Sequence, residues 1–507
     1  VWKIMEEIAQ FLEYSEYDLF NDFLRGRIPV LARNPITSST PIDVDDDDAD
    51  DGIMDIEEDG WHNLPEIIRE DIFSLLDYRT RFYASMVCRN WYDTFFTPRV
   101  WADFIVKQRN FTVKRFNLYT GSQRDIAHYK VQKCLAKVGH HFKRIIIEPN
   151  SDFYNLSGFI RVLAGFLAFF QDEYPMPLLH TFVFTFACET RTYSGVDIYG
   201  TGGQILETLK HLLSLLRNLK SLTLDELLLD TKEIPGLMES IMKQNQDSLT
   251  HLCLMNCSKE PYGIGELTQF PNLRTLVISP QHLNDEILLM LAFTNIENLQ
   301  ITQNEHTFVD NLVPVSIDCW KEVKQLNPMF RVQLICKGKC RTEIVFQDRA
   351  PVNSIIYSTP YSSITPDVIM HISEHYSKTL TTYAHTGLPK SHGSQSFHER
   401  GDGMLLHLVK TCPKLSTLIV RQRVSTATLL LIAKQAKSLK SLVVRRNAVL
   451  LKSDWPKMLE WSDEFYRWLQ FNSRSYERTE EEISKILNGQ YKWRMLKDRE
   501  FKQVKVQ

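Results

Sequence analysis

Two amphipathic segments lie between residues 64 and 95. In the first, apolar residues recur at spacings of three and four, at Leu64, Ile68, Ile72, Leu75 and Leu76. In the second, every fourth residue is apolar, at Tyr83, Val87, Trp91 and Phe95, and Pro98 follows the run. This spacing places apolar side chains on one helical face, and proline interrupts helices. The pattern predicts two or three short helices that share one apolar core.

From Phe142 onward the pattern changes to short strand-like phrases. Each clear phrase has apolar residues at relative positions one, four and six, which is the strand pattern of a leucine-rich repeat. Weaker phrases begin at Phe142, Leu179 and Leu380. The clear phrases are LKSLTL from Leu219, LTHLCL from Leu249, LRTLVI from Leu273, IENLQI from Ile296, LSTLIV from Leu415 and LKSLVV from Leu439.

Helix starts stand between several of these phrases. Asn284, Thr365 and either Ser425 or Thr426 precede apolar, helix-like segments, and such side chains cap helix N-termini. The sequence therefore predicts an α/β chain in which strands and helices alternate as an irregular solenoid. The consensus asparagine or cysteine after the strand is also irregular, being replaced by Arg423 but present as Cys257, Asn304 and Asn447.

Charge and composition divide the chain further. Residues 43–59 contain eleven acids and no base, so the net charge of -3 becomes +8 on the remainder. A Pro-, Ser-, Thr- and Asp-rich stretch of this kind buries too little apolar surface to fold. The predicted domains are an N-terminal helical segment (1–28), a disordered acidic linker (29–60), a helical domain (61–105), the repeat array (106–454) and a C-terminal helical cap or tail (455–507).

Several classes of protein are disfavoured by composition. A mild positive excess over a chain of this length does not indicate nucleic-acid binding, which would need bases clustered on one face. The longest apolar run, Leu163 to Phe170, is too short to span a membrane, and no secretory signal is visible. Nine scattered cysteines, an odd number, indicate reduced thiols rather than a disulfide framework. We expect a protein of the cytoplasm, the nucleus or both, with no nucleic-acid or membrane partner.

The segment WHNLPEIIREDIFSLLDYRTRFYASMVCRNWYDTFFTPRVWADF resembles the F-box. The resemblance implies a small helical domain that binds the adaptor Skp1, which links it to cullin and RING subunits of a ubiquitin ligase. It also implies that an apolar edge is left for the adaptor to cover. The implied Skp1-binding residues are Leu64, Pro65, Ile68, Ile72, Leu75, Leu76, Val87, Cys88, Trp91 and Trp101.

The remaining chain resembles the divergent leucine-rich repeats of F-box proteins, most nearly those related to F-box only protein thirty-three. This implies a non-catalytic subunit that presents a protein target, still unknown, for ubiquitination; the alternative is a Skp1-bound repeat scaffold without ligase activity. Strand alternation puts the target site on the concave face of the solenoid. The predicted target-binding residues are Ser221, Thr223, Asp225, His251, Cys253, Met255, Thr275, Val277, Asn298, Gln300, Arg421 and Arg445.

Three further motifs suggest other chemistry. His371–His375 spells H-x-x-E-H, an inverted zinc-peptidase pattern. A catalytic zinc also needs a third protein ligand and a substrate cleft, whereas this motif lies in a helix expected to pack between repeats, so ordinary helix-surface histidines are favoured. Cys336–Cys340 offers a ligand pair that is better explained as a turn between strands. Tyr199–Gly203 lacks the lysine of a phosphate loop and is interpreted as a flexible connection. We therefore predict no cofactor and no metal, with a zinc hydrolase as the third and least favoured function.

Overall fold

The computed structural model describes residues 61, 64–119, 121–170, 174–187, 200–309, 312–390, 400–487 and 492–506. The predicted N-terminal segment and acidic linker lie outside these residues. The described chain forms two compact units. The first comprises the described residues up to Phe184 together with Gln204–Leu219, and the second comprises those of Thr185–Gly203 and Lys220–Gln507.

The first unit begins with short helices where the sequence predicted them. These are α1 (Glu66–Leu75), α2 (Tyr78–Ser85), α3 (Arg89–Phe95) and the single turn α4 (Pro98–Trp101). The second predicted helical run is interrupted, because Cys88 is extended and begins α3 as its N-cap. A spacing of four therefore continues across two helices and the turn between them.

Arg81 ties these helices together from inside. Its side chain is buried and donates hydrogen bonds to the carbonyl oxygens of Phe73, Leu76 and Ser74 at the end of α1. A further bond, 2.7 Å long, reaches the carbonyl of Val100 in α4. Burial lowers the pKa of Arg81, but a guanidinium group in a protein keeps its charge at neutral pH. The Arg81 side chain thus satisfies buried carbonyl groups of α1 and α4 inside the domain.

The rest of the first unit is a small parallel sheet with helices. Strands β1 (Asp103–Val106), β4 (Arg144–Ile147) and β5 (Thr181–Thr185) pair in parallel in that order. The sequence prediction missed an antiparallel hairpin after β1, because its strands lack the leucine phrase. The other elements are β2 (Thr112–Asn117), β3 (Gly121–Ile126), α5 (His128–Val138), α6 (Phe153–Phe169) and α7 (Gln204–Leu215).

The second unit is a long parallel sheet of strand–helix repeats, as predicted. Its sheet runs in the order β6-β7-β8-β9-β10-β11-β12-β13-β15. The strands are β6 (Ser221–Asp225), β7 (His251–Met255), β8 (Thr275–Ile278), β9 (Asn298–Gln303), β10 (Arg331–Lys337), β11 (Val352–Ser358), β12 (Thr382–His385), β13 (Thr417–Val420) and β15 (Ser441–Val444), with β14 (Val424–Ser425) paired to β16 (Val449–Leu450).

Helices connect many of these strands. Predicted caps are confirmed, since Asn284, Thr365 and Ser425 each accept a hydrogen bond from the backbone three residues later. The helices are α8 (Ile234–Asn245), α9 (Asp285–Ala292), α10 (Ile317–Leu326), α11 (Pro366–His375), α12 (Asp402–Thr411), α13 (Thr426–Gln435), α14 (Asp463–Asn472), α15 (Tyr476–Leu487) and the single turn α16 (Asp498–Phe501).

A buried polar network joins the turns that follow the first strands of the second unit. Asn256 donates to Glu226 at 2.9 Å and to Asn304 at 2.8 Å. Asn304 also donates to Glu226, and Ser279 and Thr307 donate to the Asn256 side-chain oxygen. Because buried polar groups are costly without partners, this network fixes the turns against one another. Asn304, predicted as the consensus asparagine that follows a strand, belongs to this network. After β7 the residue in the network is Asn256, whereas the sequence analysis had predicted Cys257 for this role.

Residues 492–506 lie beside β15, the last strand of the sheet. We call these residues the edge segment. Leu496 exchanges backbone hydrogen bonds with β15, accepting from Arg446 and donating to Val444, both at 2.9 Å. Phe501 is buried against Ala384 and Ile419, on the outward side of β12 and β13. The edge segment therefore pairs with β15 and then covers the outward face of the last strands.

His282 predicts a pH dependence of stability. Its Nε2 accepts a hydrogen bond from Cys257 N and its Nδ1 lies 3.0 Å from the Tyr262 carbonyl, so the buried ring is neutral. Burial lowers its pKa from 6.5 to about 4. Between these values the unfolded chain binds the proton more tightly. Stability is therefore lost as pH falls, by roughly 2 kcal/mol between pH 7 and pH 5 from this group.

Urea unfolding of the full chain at pH 7 and pH 5 measures this loss. His282→Ala is expected to be less stable at pH 7 and to lose less on acidification than the unmodified chain. His211→Ala, at an exposed position of α7, is the matched control and is expected to keep the full loss. An equal acid loss in the His282 variant would contradict the assignment.

Candidate functional site

Helix α1 presents an apolar face to solvent. Ile68, Ile72 and Leu75 recur at helical spacing, and each keeps solvent exposure. Leu75 is 87% exposed and Ile68 45% exposed. Ile67, which the sequence analysis did not include, is 62% exposed. An apolar face this open on a small domain marks a surface for a partner, because the core behind it is already filled.

The remaining edge residues of this domain border that face. Pro65 and Val87 are exposed, whereas Leu64, Leu76 and Cys88 are half-buried. The backbone at Leu64 is held by Arg69, which donates to its carbonyl at 2.8 Å. We define the helical-domain face as Pro65, Ile67, Ile68, Ile72, Leu75 and Val87.

Two predicted contact residues are instead core residues. Trp91 is 5% exposed, packs edge-on against Phe73 and donates to the Trp61 carbonyl. Trp101 is 4% exposed and stacks on Tyr78. Their direct contact with a partner was a wrong prediction, because large aromatic side chains at these positions fill the interior. Truncating either would act through the folding of the domain.

The predicted target-binding residues form rows across the first strands of the second unit. Strand register aligns one row as Ser221, His251, Thr275, Asn298 and Arg331, all half-buried or exposed. The neighbouring row contains Thr223, Gln300 and Gln333. Arg331 and Gln333 were missed, although the alternation in FRVQLIC carries the same signal. We call these eight side chains the polar rows.

Four predicted residues on the same side are occupied by internal contacts. Cys253, Met255 and Val277 are buried and pack together as a small apolar cluster. Asp225 accepts a hydrogen bond from the Cys253 thiol and lies 3.9 Å from Lys337 Nζ. Burial raises the pKa of Asp225. The alternation of side chains correctly predicted which side of the strand these residues face. Neighbouring side chains cover them, however, so their prediction as target contacts was wrong.

The two predicted arginines are also structural. Arg421 is 1% exposed and donates to the carbonyl oxygens of Thr359, Thr386 and Ser362. Burial lowers its pKa to about 10, which leaves it charged. Arg445 forms an ion pair with Asp498 of the edge segment at 2.7 Å, which lowers the pKa of that carboxyl. Neither guanidinium is free for a target, so both predictions were wrong.

The competing motifs have the following local structures. Cys336 is a buried residue near the end of β10. Cys340 follows a turn in which Gly338 adopts a φ of 71°, a conformation that favours glycine. A hydrogen bond with Cys336 lowers the pKa of Cys340 to about 6. The described part of the glycine-rich loop is held in place, since Thr201 donates twice to the Leu227 carbonyl. His371 and His375 are brought beside Asp348, a neighbour that sequence spacing did not reveal.

Comparison with known families identifies the helical domain. Residues 61–103 match the F-box domain. The chain therefore contains an F-box domain, followed by a long parallel sheet of strand–helix repeats of leucine-rich-repeat type. No curated protein matches the sequence. None of the described helices has the length and apolar character needed to cross a membrane.

Solved structures give only distant likenesses. The Rad7–Elc1 complex in yeast is similar at 10% identity and TM-score 0.37, over 79% of this chain and 92% of that chain. The TLR13–ssRNA13 complex is similar at 13% identity and TM-score 0.31, over 63% and 45%. An internalin from Listeria monocytogenes is similar at 10% identity and TM-score 0.22, over 61% and 76%.

Arg421 predicts a stability effect that a recognition residue would not show. Replacing it by methionine leaves three carbonyl groups without their donor, each costing about 1–3 kcal/mol. Arg421→Met should therefore lower the free energy of unfolding by about 3 kcal/mol or more, measured by urea denaturation. Arg331→Met, at an exposed arginine of the polar rows, is the control and should change it by less than about 0.5 kcal/mol. Similar midpoints for the two variants would contradict a structural role.

Proposed function

We propose that this chain is the substrate-recognition subunit of a Skp1–cullin–F-box ubiquitin ligase. The observation that carries the proposal is the open apolar face of α1 in a domain that matches the F-box. The F-box domain would bind Skp1 and, through it, cullin and RING subunits. The repeats would hold a protein target, so that the chain acts without chemistry of its own by raising the local concentration of target lysines near activated ubiquitin.

The physical state of the F-box domain supports a docking role. Arg81 and the aromatic core complete the interior, so the apolar surface that the helical-domain face leaves exposed is not needed to fill it. Covering a leucine or isoleucine of this kind contributes about 1.5–3 kcal/mol. A partner that buries several of them gains enough to offset the cost of association.

The polar rows support a target site on the first half of the second unit's sheet. Their side chains are polar, aligned by strand register and partly open. The outward side of β12 and β13 is different, because the edge segment packs against it. We propose that the target contacts β6 to β10 and that Arg421 and Arg445 take no direct part.

Leu75→Asp tests the adaptor contact. A charge placed in an apolar interface loses the leucine burial and adds a desolvation cost, together about 2 kcal/mol or more. Skp1 affinity of the full chain should therefore fall by at least about 30-fold, measured by calorimetry with purified Skp1. The chain should stay folded because Leu75 is 87% exposed.

Leu459→Asp is the matched control, since Leu459 is an exposed leucine outside the F-box domain. It should bind Skp1 as the unmodified chain does. Equal affinity for the Leu75 variant would remove the basis of the proposal. Co-purification of cullin with Skp1 distinguishes the ligase from the alternative, a Skp1-bound scaffold that recruits no cullin.

A second variant tests the target surface. His251→Glu combined with Gln300→Glu places two negative charges in adjacent polar rows without altering the buried leucines. We expect loss of in-cell crosslinking to bound target while Skp1 affinity is unchanged. Gln244→Glu with Gln325→Glu, at exposed positions of helices α8 and α10, adds two negative charges as well; it is the charge-matched control and should retain the target. Retention by the polar-row variant would move the target site elsewhere.

Three finer points accompany the proposal. The closer resemblance to relatives of F-box only protein thirty-three stays a prediction, as does a location in the cytoplasm or nucleus. The predicted boundaries of the five domains also stay predictions.

A further inference from the structure

A cluster of two histidines and one aspartate lies at the end of α11. Among the described residues, one group of three or more His, Cys, Asp or Glu side chains could hold a metal ion, and it consists of Asp348, His371 and His375. One ligand atom from each lies within 4.8 Å of the other two. We propose that this cluster is a binding site for a zinc-class divalent cation, which joins helix α11 to the loop that carries Asp348.

The histidine nitrogens give the first argument. His371 Nε2 and His375 Nδ1 are buried and have no hydrogen-bond partner in the described part of the chain. His371 Nε2 is 3.2 Å from Asp348 Oδ1, but the two are not aligned as a hydrogen bond. Buried polar atoms are normally satisfied, so two unsatisfied nitrogens in one place indicate a missing ligand. A cation would satisfy both at once.

The loop geometry gives the second argument. Asp348 follows Gln347, whose backbone N–H donates to the Tyr376 hydroxyl at 3.0 Å. The same hydroxyl donates to the Gln347 carbonyl at 2.9 Å. Tyr376 caps α11 one residue after His375. The loop and the end of the helix are therefore fixed to each other before any ion binds, which lowers the entropic cost of bringing the carboxylate to the histidines.

The chemistry of the donors favours a borderline-soft cation. Two imidazoles and one carboxylate are a common protein ligand set for zinc, with a fourth position left for water. Donors around tetrahedral zinc at about 2.0–2.1 Å lie roughly 3.4 Å apart. The 3.2 Å between His371 Nε2 and Asp348 Oδ1 is close to this distance, and a ligand atom of His375 lies within 4.8 Å of the donors of the other two residues.

The protonation state agrees with this arrangement. The two imidazole rings are stacked with centroids 4.4 Å apart, a geometry that two imidazolium ions would resist. Metal binding requires the neutral form of each ring, which leaves one ring nitrogen free to coordinate the ion.

The structure also separates this site from the peptidase motif. In H-x-x-E-H the glutamate is the functional acid or base, but Glu374 is 68% exposed and lies 3.9 Å from His375. Asp348, from a different element, supplies the third donor. The site therefore follows from the fold and gives Glu374 no part in binding.

Zinc titration of the full chain tests the proposal. Protein purified without a histidine tag and stripped with chelator is titrated with Zn²⁺ alone by calorimetry, followed by thermal unfolding. We expect one bound zinc and a higher unfolding temperature. Asp348→Asn, isosteric and partly exposed, should weaken zinc binding by at least about tenfold and cancel the thermal shift. His371→Ala should abolish binding.

Three controls complete the test. Glu374→Gln should bind zinc normally, because its carboxylate is not a ligand. His140→Ala with His141→Ala removes another adjacent imidazole pair and should also have no effect. Cys336→Ser tests the cysteine pair and should leave zinc binding unchanged. The proposal is overturned if the unmodified chain binds no zinc, if Asp348→Asn binds it normally, or if binding depends on Glu374 or Cys336.

Discussion

Burial of the inward strand residues is the constraint on which the second unit depends. Each strand places alternate side chains inside, and leucines such as Leu222, Leu252, Leu276 and Leu299 are fully buried in consecutive strands. A single repeat has too little surface to bury these residues by itself, so each strand is stable only beside its neighbours. The outward residues of the polar rows have fewer packing demands, which allows that part of the sheet to be polar.

In each unit a buried arginine stabilises the fold. Arg81 and Arg421 each sit in a buried position and donate to several backbone carbonyls. The five donors of a guanidinium make it suited to places where helices or loops end and leave acceptors unpaired. Their long apolar stems allow this burial, and the cost of enclosing the charge is offset by the number of bonds formed.

Elements with strong local periodicity could be predicted from the sequence, whereas tertiary partners could not. The six clear leucine phrases all became strands, and the caps at Asn284 and Thr365 begin helices as expected. The hairpin of β2 and β3 was missed because its strands lack the leucine phrase. The wrong site residues share one cause. Alternation reports the direction of a side chain, but it cannot report the edge segment that pairs with Arg445, or the loops that enclose Arg421.

The edge segment has a consequence for the association behaviour of the protein. A parallel sheet ends in a strand whose outer N–H and C=O groups are open to pairing with any other extended chain. In the second unit Leu496 occupies that position on β15, and Trp493 adds a bond to the Leu442 carbonyl. Residues 492–506 thus cover the edge of the sheet and block further strand pairing there. Cleavage or truncation within them would expose the unpaired edge of β15 and favour edge-to-edge association of folded molecules.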